Sequence, residues 1–302
     1  MNYLWLTIKG MLIGIANIIP GVSGGTMAIS LGVYDDLIFS IANLMKDWKN
    51  SLRILGPILI GLASGIVAFS YLIERLLSQY TLPTALAFIG LILGGIPILW
   101  ASLKESLRNK KTNLSFKHFL VFLLSFALVA GMALIQESGT SLSSFEFTFS
   151  NVVLLFFIGV IASATMVIPG VSGSLVLMIL GFYYNILNTV TDFVNALRTL
   201  DFNGLLYGVG LLLPFGIGIL LGIFFISKLV SYLFENLPVM TYSSILGLVL
   251  ASPLAILINT NALDSIAGTN QGNFFIIGIV LLIGSAYLTY GLGKTDEPEK
   301  IK

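Results

Sequence analysis

The sequence predicts an all-α membrane protein that crosses the bilayer several times. Hydrophobic residues make up 57% of the 302 residues and charged residues 10%, with a mean hydropathy of +0.99, whereas about a quarter of the residues of a soluble domain are charged. The apolar segments are too long and too continuously apolar for the strands of a membrane β-barrel. At roughly 20 apolar residues per crossing, the chain has room for about eight to ten crossings or partial crossings.

Each apolar segment ends at a helix-breaking or charged residue. The first covers residues 4–19 and ends at Pro20-Gly21, and a short second one, residues 22–34, ends at Asp35-Asp36. This second segment is too short for a full crossing and has the length of a re-entrant helix. Further spans are expected at residues 54–73, 83–101, 119–135, 152–168, 171–187, 205–226, 239–258 and 274–290.

The composition also excludes several classes of protein. A net charge of +1 argues against binding to nucleic acid. The absence of cysteine excludes disulfides and thiolate metal sites, and the single histidine, His118, cannot form a histidine metal site. No catalytic triad or pair of acids lies within the apolar segments, and no Walker loop is present. We therefore expect neither an enzyme nor an ATP-driven pump, and no cofactor or metal.

The sequence contains an internal repeat. The motif Pro-Gly-Val-Ser-Gly occupies residues 20–24 and again residues 169–173, an offset of 149 residues. At the same offset, residues 31–34 (Leu-Gly-Val-Tyr) match residues 180–183 (Leu-Gly-Phe-Tyr). Looser pairs join Gly61 with Gly216 and Gly90 with Gly247.

The repeat predicts how the single membrane domain is organised. We expect a first repeat at residues 1–136, a second at residues 150–292 and a charged tail at residues 293–302. Each repeat would be one re-entrant hairpin followed by three spans. Because three is odd, the second repeat is expected to be inverted relative to the first, which is typical of alternating-access transporters.

The distribution of Lys and Arg predicts the orientation in the membrane. The linkers at residues 46–53 and 103–118 and the tail are rich in these residues, whereas residues 137–150 and 259–273 contain none. We therefore place both termini and the basic linkers in the cytoplasm. The first hairpin then opens to the cytoplasm and the second to the outside.

The two Pro-Gly motifs are the candidate anion site. Proline removes a backbone hydrogen bond and glycine permits irregular backbone angles, so polar groups are left unpaired at membrane depth and must face protein, water or a ligand. Backbone N–H groups and hydroxyls at such a break favour a phosphate or carboxylate. The alternative is that the small residues only permit close helix packing. The candidate residues are Ser23, Gly24, Gly25, Thr26, Ser172, Gly173 and Ser174.

These motifs resemble those of a known bacterial membrane family. Residues 14–28 and 31–35 are similar to the first signature of the family catalogued as domain of unknown function 368, and residues 168–174 and 180–183 are similar to its second. The resemblance covers nearly the whole chain. It implies a translocase that returns undecaprenyl phosphate from the outer to the inner leaflet of the bacterial cytoplasmic membrane for cell-wall synthesis. The alternative function is a channel or transporter for a small anion.

Charged residues near the span ends supply further candidates. Arg75 and Lys228 are interpreted either as groups that capture the phosphate head group at each leaflet or as interfacial residues whose charge reaches water. Asp35, Asp36 and Glu74 are candidates for binding a coupling ion, although acids at such positions also simply end helices. Lys9 is interpreted either as a residue that reaches the cytoplasmic side of the first hairpin or, as we expect, as one that only follows the positive-inside rule. The expected partners are undecaprenyl phosphate and membrane lipid, and no sequence feature defines an oligomeric state.

Overall fold

The computed structural model describes residues 3–19, 22–134, 147–171, 173–263 and 271–294. Within these residues the secondary structure is α-helical with no strand, which confirms the predicted all-α class. The chain forms two compact units. Unit 1 comprises Met1–Ile135, Pro169–Val171 and Lys228–Lys302, and unit 2 comprises Gln136–Ile168 and Ser172–Ser227.

Twelve helices occur among the described residues, six in each half of the chain. The first six are α1 (Tyr3–Ala16), α2 (Gly24–Ser30), α3 (Tyr34–Ala42), α4 (Trp48–Gln79), α5 (Thr81–Asn109) and α6 (Phe116–Leu134). The second six are α7 (Phe149–Val167), α8 (Gly173–Ile179), α9 (Tyr183–Thr199), α10 (Phe202–Asn236), α11 (Pro238–Asn259) and α12 (Gln271–Lys294).

Seven of the described helices are long and apolar enough to cross a membrane: α4, α5, α6, α7, α10, α11 and α12. Helices α2 and α3 would add an eighth span if they are counted as one, but they meet at a bend of 119°. Many large apolar side chains on the spans are exposed, such as Leu124 (61%) and Val280 (63%). Such surfaces suit contact with lipid, so the chain is a multi-pass membrane protein.

A glycine turn ends each of the two short helices. Gly32 and Gly181 have φ angles of 70° and 79°, which glycine adopts without steric cost. The next N–H reaches back five residues in both turns, from Val33 to Ala28 O and from Phe182 to Leu177 O, each at 2.9 Å. The expected continuous segment at residues 171–187 is therefore wrong, because the turn at Gly181 divides it into α8 and α9.

Glycines bring the first and fourth helix of each half into backbone contact. In unit 1, a Cβ added to Gly61 of α4 would overlap the Thr7 carbonyl of α1, and in unit 2 one added to Gly218 of α10 would overlap the Phe156 carbonyl of α7. Small residues of this kind allow the backbones of membrane helices to approach closely. Thr7 and Phe156 are 149 residues apart, so the structure matches Gly61 with Gly218. The expected match with Gly216 is wrong, since the Cβ position of Gly216 has no atom within 4 Å.

In unit 1 the last helix of each half packs against a helix of the other half. Gly90 of α5 lies against the Leu282 carbonyl of α12, and Gly247 of α11 lies against the Phe122 carbonyl of α6. A hydrogen bond between Ser125 and Ser244 (2.7 Å) supports the pairing of α6 with α11. Each half therefore contributes its last helix to the packing of the other half. The inverted orientation of the repeats remains a prediction.

Candidate substrate site

The first Pro-Gly motif leads directly into α2, whose first turn is capped by a serine. Ser23 has extended backbone angles (φ −98°, ψ 143°), and its Oγ accepts the Thr26 N–H at 3.1 Å. This is the usual geometry of a helix N-cap. The hydroxyl oxygens of Ser23 and Thr26 are also hydrogen-bonded to each other at 2.9 Å, and both residues are buried. Pro20 and Gly21 lie outside the described residues.

The second motif contacts the first through a backbone donor. The Gly170 N–H donates to Thr26 Oγ1 at 2.7 Å and to Ser23 Oγ at 3.0 Å, all within unit 1. Gly170 has a φ angle of 80°. A Cβ there would lie 2.9 Å from the Leu248 carbonyl oxygen and 3.2 Å from Val129 Cγ2, so the position requires glycine both for its conformation and for its close packing.

The two hydroxyl oxygens share the single Gly170 N–H, since it lies within hydrogen-bond distance of both. Either hydroxyl can donate in the bond between Ser23 and Thr26. Towards Gly170 both oxygens act as acceptors in the described conformation, and not as the free donors that the sequence suggested.

The other motif residues lie at the starts of the short helices. Gly24 begins α2, and a Cβ there would lie 2.7 Å from the Asn17 side-chain nitrogen; Gly25 follows and is buried. Gly173 begins α8 in unit 2, where a Cβ would lie 2.9 Å from Thr165 Oγ1. Ser172 and the side chain of Ser174 lie outside the described part of the chain.

The charged candidates are placed differently from one another. Glu74 and Arg75 are exposed near the end of α4, and Lys228 is exposed on α10. Exposure fits both the head-group and the interfacial interpretations of Arg75 and Lys228. Lys9, in contrast, has no exposed surface at all. This burial does not fit a lysine that only follows the positive-inside rule, because such a lysine extends its ammonium group to water. The alternative, that Lys9 reaches the first hairpin, stays a prediction.

Asp35 forms a contact that the sequence did not reveal. It lies in the first turn of α3, and its Oδ2 accepts the Tyr242 hydroxyl of α11 at 2.6 Å. Asp36, its neighbour, is exposed. The only signal for Tyr242 in the sequence is a hydroxyl within an apolar span, which does not identify its partner.

A cleft in unit 2 does not contain the motifs. In unit 2 a cavity of about 240 Å³ is lined by residues of α9 and α10, among them Asp192, Phe193 and Tyr207. None of the candidate residues lines it. The meeting of the two motifs in unit 1 is therefore the better candidate for a substrate site, because broken helices at membrane depth are where transporters bind substrate.

The fold and the broken helices define a multi-pass membrane protein of the transporter class, and no catalytic arrangement accompanies them among the described residues. The chain belongs to the VCA0040-like family, described as undecaprenyl phosphate translocase-like, whose model matches residues 13–275. The resemblance in the motifs is thus confirmed, under another family name.

Two relatives match almost the full length of the chain. It is 32% identical to a polyprenyl-phosphate transporter of Staphylococcus aureus, over 94% of each chain. It is 28% identical to a polyprenyl-phosphate transporter of Vibrio cholerae, over 98% of each chain. No solved structure matches the chain.

Proposed function

We propose that this protein is a flippase that carries undecaprenyl phosphate from the outer to the inner leaflet of the bacterial cytoplasmic membrane, where the lipid carrier is reused in cell-wall synthesis. The names of two nearly full-length relatives, polyprenyl-phosphate transporters, support the class of substrate. The apolar helices support a carrier that works within the bilayer.

The observation that carries the proposal is the meeting of the two motifs through the Gly170 N–H. It brings two backbone breaks, distant in sequence, to one polar point among apolar helices. A phosphate oxygen is a stronger acceptor than a hydroxyl oxygen because it is charged. In this proposal the phosphate replaces the hydroxyl oxygens at the Gly170 N–H. Ser23 and Thr26 then turn their hydroxyl hydrogens towards the phosphate.

The remaining motif groups complete the proposed binding set. The first backbone N–H groups of α2 have no partner within the helix, as at every helix start. The proposed phosphate ligands are Ser23, Gly24, Gly25 and Thr26 of the first motif and Ser172, Gly173 and Ser174 of the second. When the phosphate leaves, the Gly170 N–H bonds to the two hydroxyl oxygens again. This contact then represents the substrate-free state of the proposed alternating-access cycle.

Arg75 and Lys228 are proposed to capture the head group before it reaches the motifs. Both are exposed cations on long apolar helices, α4 and α10. Arg75 would act at the outer leaflet and Lys228 at the inner leaflet, in keeping with the predicted orientation. The guanidinium of Arg75 also suits bidentate contact with phosphate.

The direct test is a leaflet-resolved transport assay in proteoliposomes. The purified chain should move undecaprenyl phosphate between leaflets in the absence of ATP. Flux of chloride and inorganic phosphate, measured in the same vesicles, tests the alternative of a small-anion channel or transporter. Anion flux without lipid movement would replace the proposed function by that alternative.

Thermal stabilisation by the lipid tests the motif residues. Charge-assisted hydrogen bonds contribute roughly 1.5–3 kcal/mol each, so Ser23→Ala should weaken binding by about tenfold or more. The double change Ser23→Ala with Ser172→Ala should weaken it further. The matched control is Ser30→Ala, because Ser30 is a buried serine of the same helix whose hydroxyl bonds to the Thr26 and Ile92 carbonyls and not to Gly170. Undiminished binding by the double variant would place the phosphate elsewhere.

The proposed orientation has its own test. The chain has no native cysteine, so single cysteines can be introduced at exposed positions without background. Lys49→Cys should react with an impermeant reagent from the cytoplasmic side and Leu263→Cys from the outside. Labelling of both from one side would contradict the predicted topology and the inverted repeats.

A further inference from the structure

Asp35 and Tyr242 join two helices of unit 1 that are far apart in the sequence. The carboxylate Oδ2 of Asp35 on α3 accepts the Tyr242 hydroxyl of α11 at 2.6 Å, across 207 residues. This distance is at the short end of the range for O–H···O bonds, as is usual when the acceptor is charged. The contact therefore fixes the start of α3 to α11.

Aromatic rings surround this bond. The ring of Phe234 lies edge-on to Tyr242, with 5.2 Å between centroids, and to Tyr34, with 6.2 Å between centroids. Phe39 also packs against Phe234 at 6.3 Å. Tyr34 and Phe234 are buried. The carboxylate thus borders on an apolar, aromatic environment.

The described charged and titratable groups that act on this carboxylate are acids and phenols. They are Asp36 and Tyr34 on α3 and Tyr242 on α11, while Glu105 of α5 and the Ser102 hydroxyl act on Tyr242. Helices α2 and α4 also pack against α3, and within the described ranges no basic group from them acts on Asp35. A carboxylate with one hydroxyl donor and no cation is a poor permanent charge.

The pair also departs from the internal repeat. At the offset of 149 residues, Tyr184 occupies the position of Asp35, and at the offset of 157 residues that relates Gly61 to Gly218, Ala85 occupies the position of Tyr242. The glycine turns and helix contacts recur in both halves, whereas this hydrogen bond occurs once. A group that serves one step of a transport cycle needs no counterpart in the other half.

We propose that Asp35, with Tyr242 as its hydrogen-bond partner, is a proton-binding site that couples proton movement to transport. The inference rests on the proposed transport function. Asp35 takes up one proton from the aqueous phase on one side as a neutral carboxyl group and releases it on the other.

The geometry links the proton to the motif. The ionised carboxylate holds Tyr242 by a charge-assisted bond, which is roughly twice as strong as a neutral one. Protonation weakens that bond and releases the start of α3 from α11. Only the tight turn at Gly32 separates α3 from α2, whose first turn carries Ser23 and Thr26. A movement of α3 therefore moves α2 and changes the contact of Ser23 and Thr26 with Gly170.

The first arm of the test needs no lipid substrate. Infrared difference spectra of the purified protein, recorded as the pH is varied, should contain the carbonyl band of a protonated carboxyl group. Asp35→Asn should remove this band, and Tyr242→Phe should change the pH at which it disappears. Asp192→Asn, which removes an exposed carboxylate of unit 2, should leave the band of Asp35 as in the parent. An identical titration in Asp35→Asn would overturn the proposal.

The second arm measures transport in proteoliposomes with and without a pH gradient. The gradient should accelerate transport by the parent and by Asp192→Asn, whereas Asp35→Asn should carry lipid at the same rate in both conditions. Tyr242→Phe, which keeps the carboxylate, should retain a reduced response. An unchanged gradient response in Asp35→Asn overturns the coupling. If the parent moves no lipid but the infrared band behaves as expected, the proposed function fails and the proton site stands.

Discussion

The described residues of the two copies of Pro-Gly-Val-Ser-Gly make different contacts. In the first copy, Ser23 caps α2 and, with Thr26, supplies buried hydroxyl acceptors. In the second copy, Gly170 supplies a backbone donor from a conformation with a φ angle of 80°. Residues Pro169–Val171 belong to unit 1, whereas α8, which begins at Gly173, belongs to unit 2. Among the described residues, the first copy therefore supplies the acceptors and the second copy supplies the donor of this contact.

This difference teaches that a repeated motif predicts a shared backbone break more reliably than a shared chemistry. The glycine turns that follow each motif are alike, since Gly32 and Gly181 both adopt positive φ and close the same hydrogen-bonded turn. The Thr26 hydroxyl is not shared, because Leu175 occupies the matching position at the offset of 149 residues. Substitutions can separate the shared part from the part that differs.

The largest loss of stability is expected at Gly170, whose N–H is the donor. Gly170→Ala must place a Cβ near the Leu248 carbonyl and keep a left-handed conformation, which should cost about 2–5 kcal/mol of stability. Thermal unfolding in detergent measures this as a lowered midpoint. The control is Gly216→Ala, whose Cβ position is open within a helix, and which should be neutral or slightly stabilising. Equal midpoints for the two variants would contradict the packed geometry of Gly170.

A smaller loss of stability is expected for substitution of the acceptors Ser23 and Thr26, and the losses of the two single variants are expected not to add. Ser23→Ala and Thr26→Val each leave the Gly170 N–H with one acceptor, whereas the double variant leaves this buried donor with neither hydroxyl. The double variant should therefore lose more than the sum of the singles, by about 1–3 kcal/mol. A double-mutant cycle of unfolding midpoints measures this coupling.

Ser30→Ala provides the control for that cycle. Combined with Ser23→Ala it should give additive losses, since Ser30 does not contact Gly170. Additivity between Ser23 and Thr26 as well would show that the Gly170 N–H does not depend on the two hydroxyls.

A lesser and nearly equal effect is expected at the two glycine turns. Gly32→Ala and Gly181→Ala place alanine at φ angles of 70° and 79°, which should cost about 1–2 kcal/mol in each case. Unfolding midpoints of the two single variants should agree closely. Clearly different unfolding midpoints would show that the two turns, like the motifs before them, are not equivalent.

The smallest effect on stability is expected at the two exposed cations. Arg75→Ala and Lys228→Ala should change the unfolding free energy by less than about 0.5 kcal/mol, while transport of undecaprenyl phosphate falls markedly. Lys228→Arg should recover more transport than Arg75→Lys, because lysine lacks the bidentate fork of arginine. Full transport by both alanine variants would assign these residues to the interface alone.

Local chemistry explains what the sequence predicted correctly. Composition fixed the class of protein, because so few charged residues cannot cover a water-facing surface. Proline and glycine act on the backbone within a few residues, so the breaks at residues 20–24, 31–34 and 169–173 could be located before any packing was known. The apolar pattern does not predict the turn at Gly181, because residues 171–187 form one continuous apolar run. The matching Leu-Gly at residues 31–32 is the signal in the sequence that indicates this turn.

By itself, then, the sequence determined an all-α membrane protein with two paired backbone breaks and, through its motifs, the family. The tertiary structure alone decided what each polar group meets: the Gly170 N–H with Ser23 and Thr26, Asp35 with Tyr242, and α6 with α11. It also decided that Lys9 is buried. These contacts join residues separated by 119 to 207 positions. In apolar helices many faces are chemically alike, so only the packed arrangement selects which of them carry the partners.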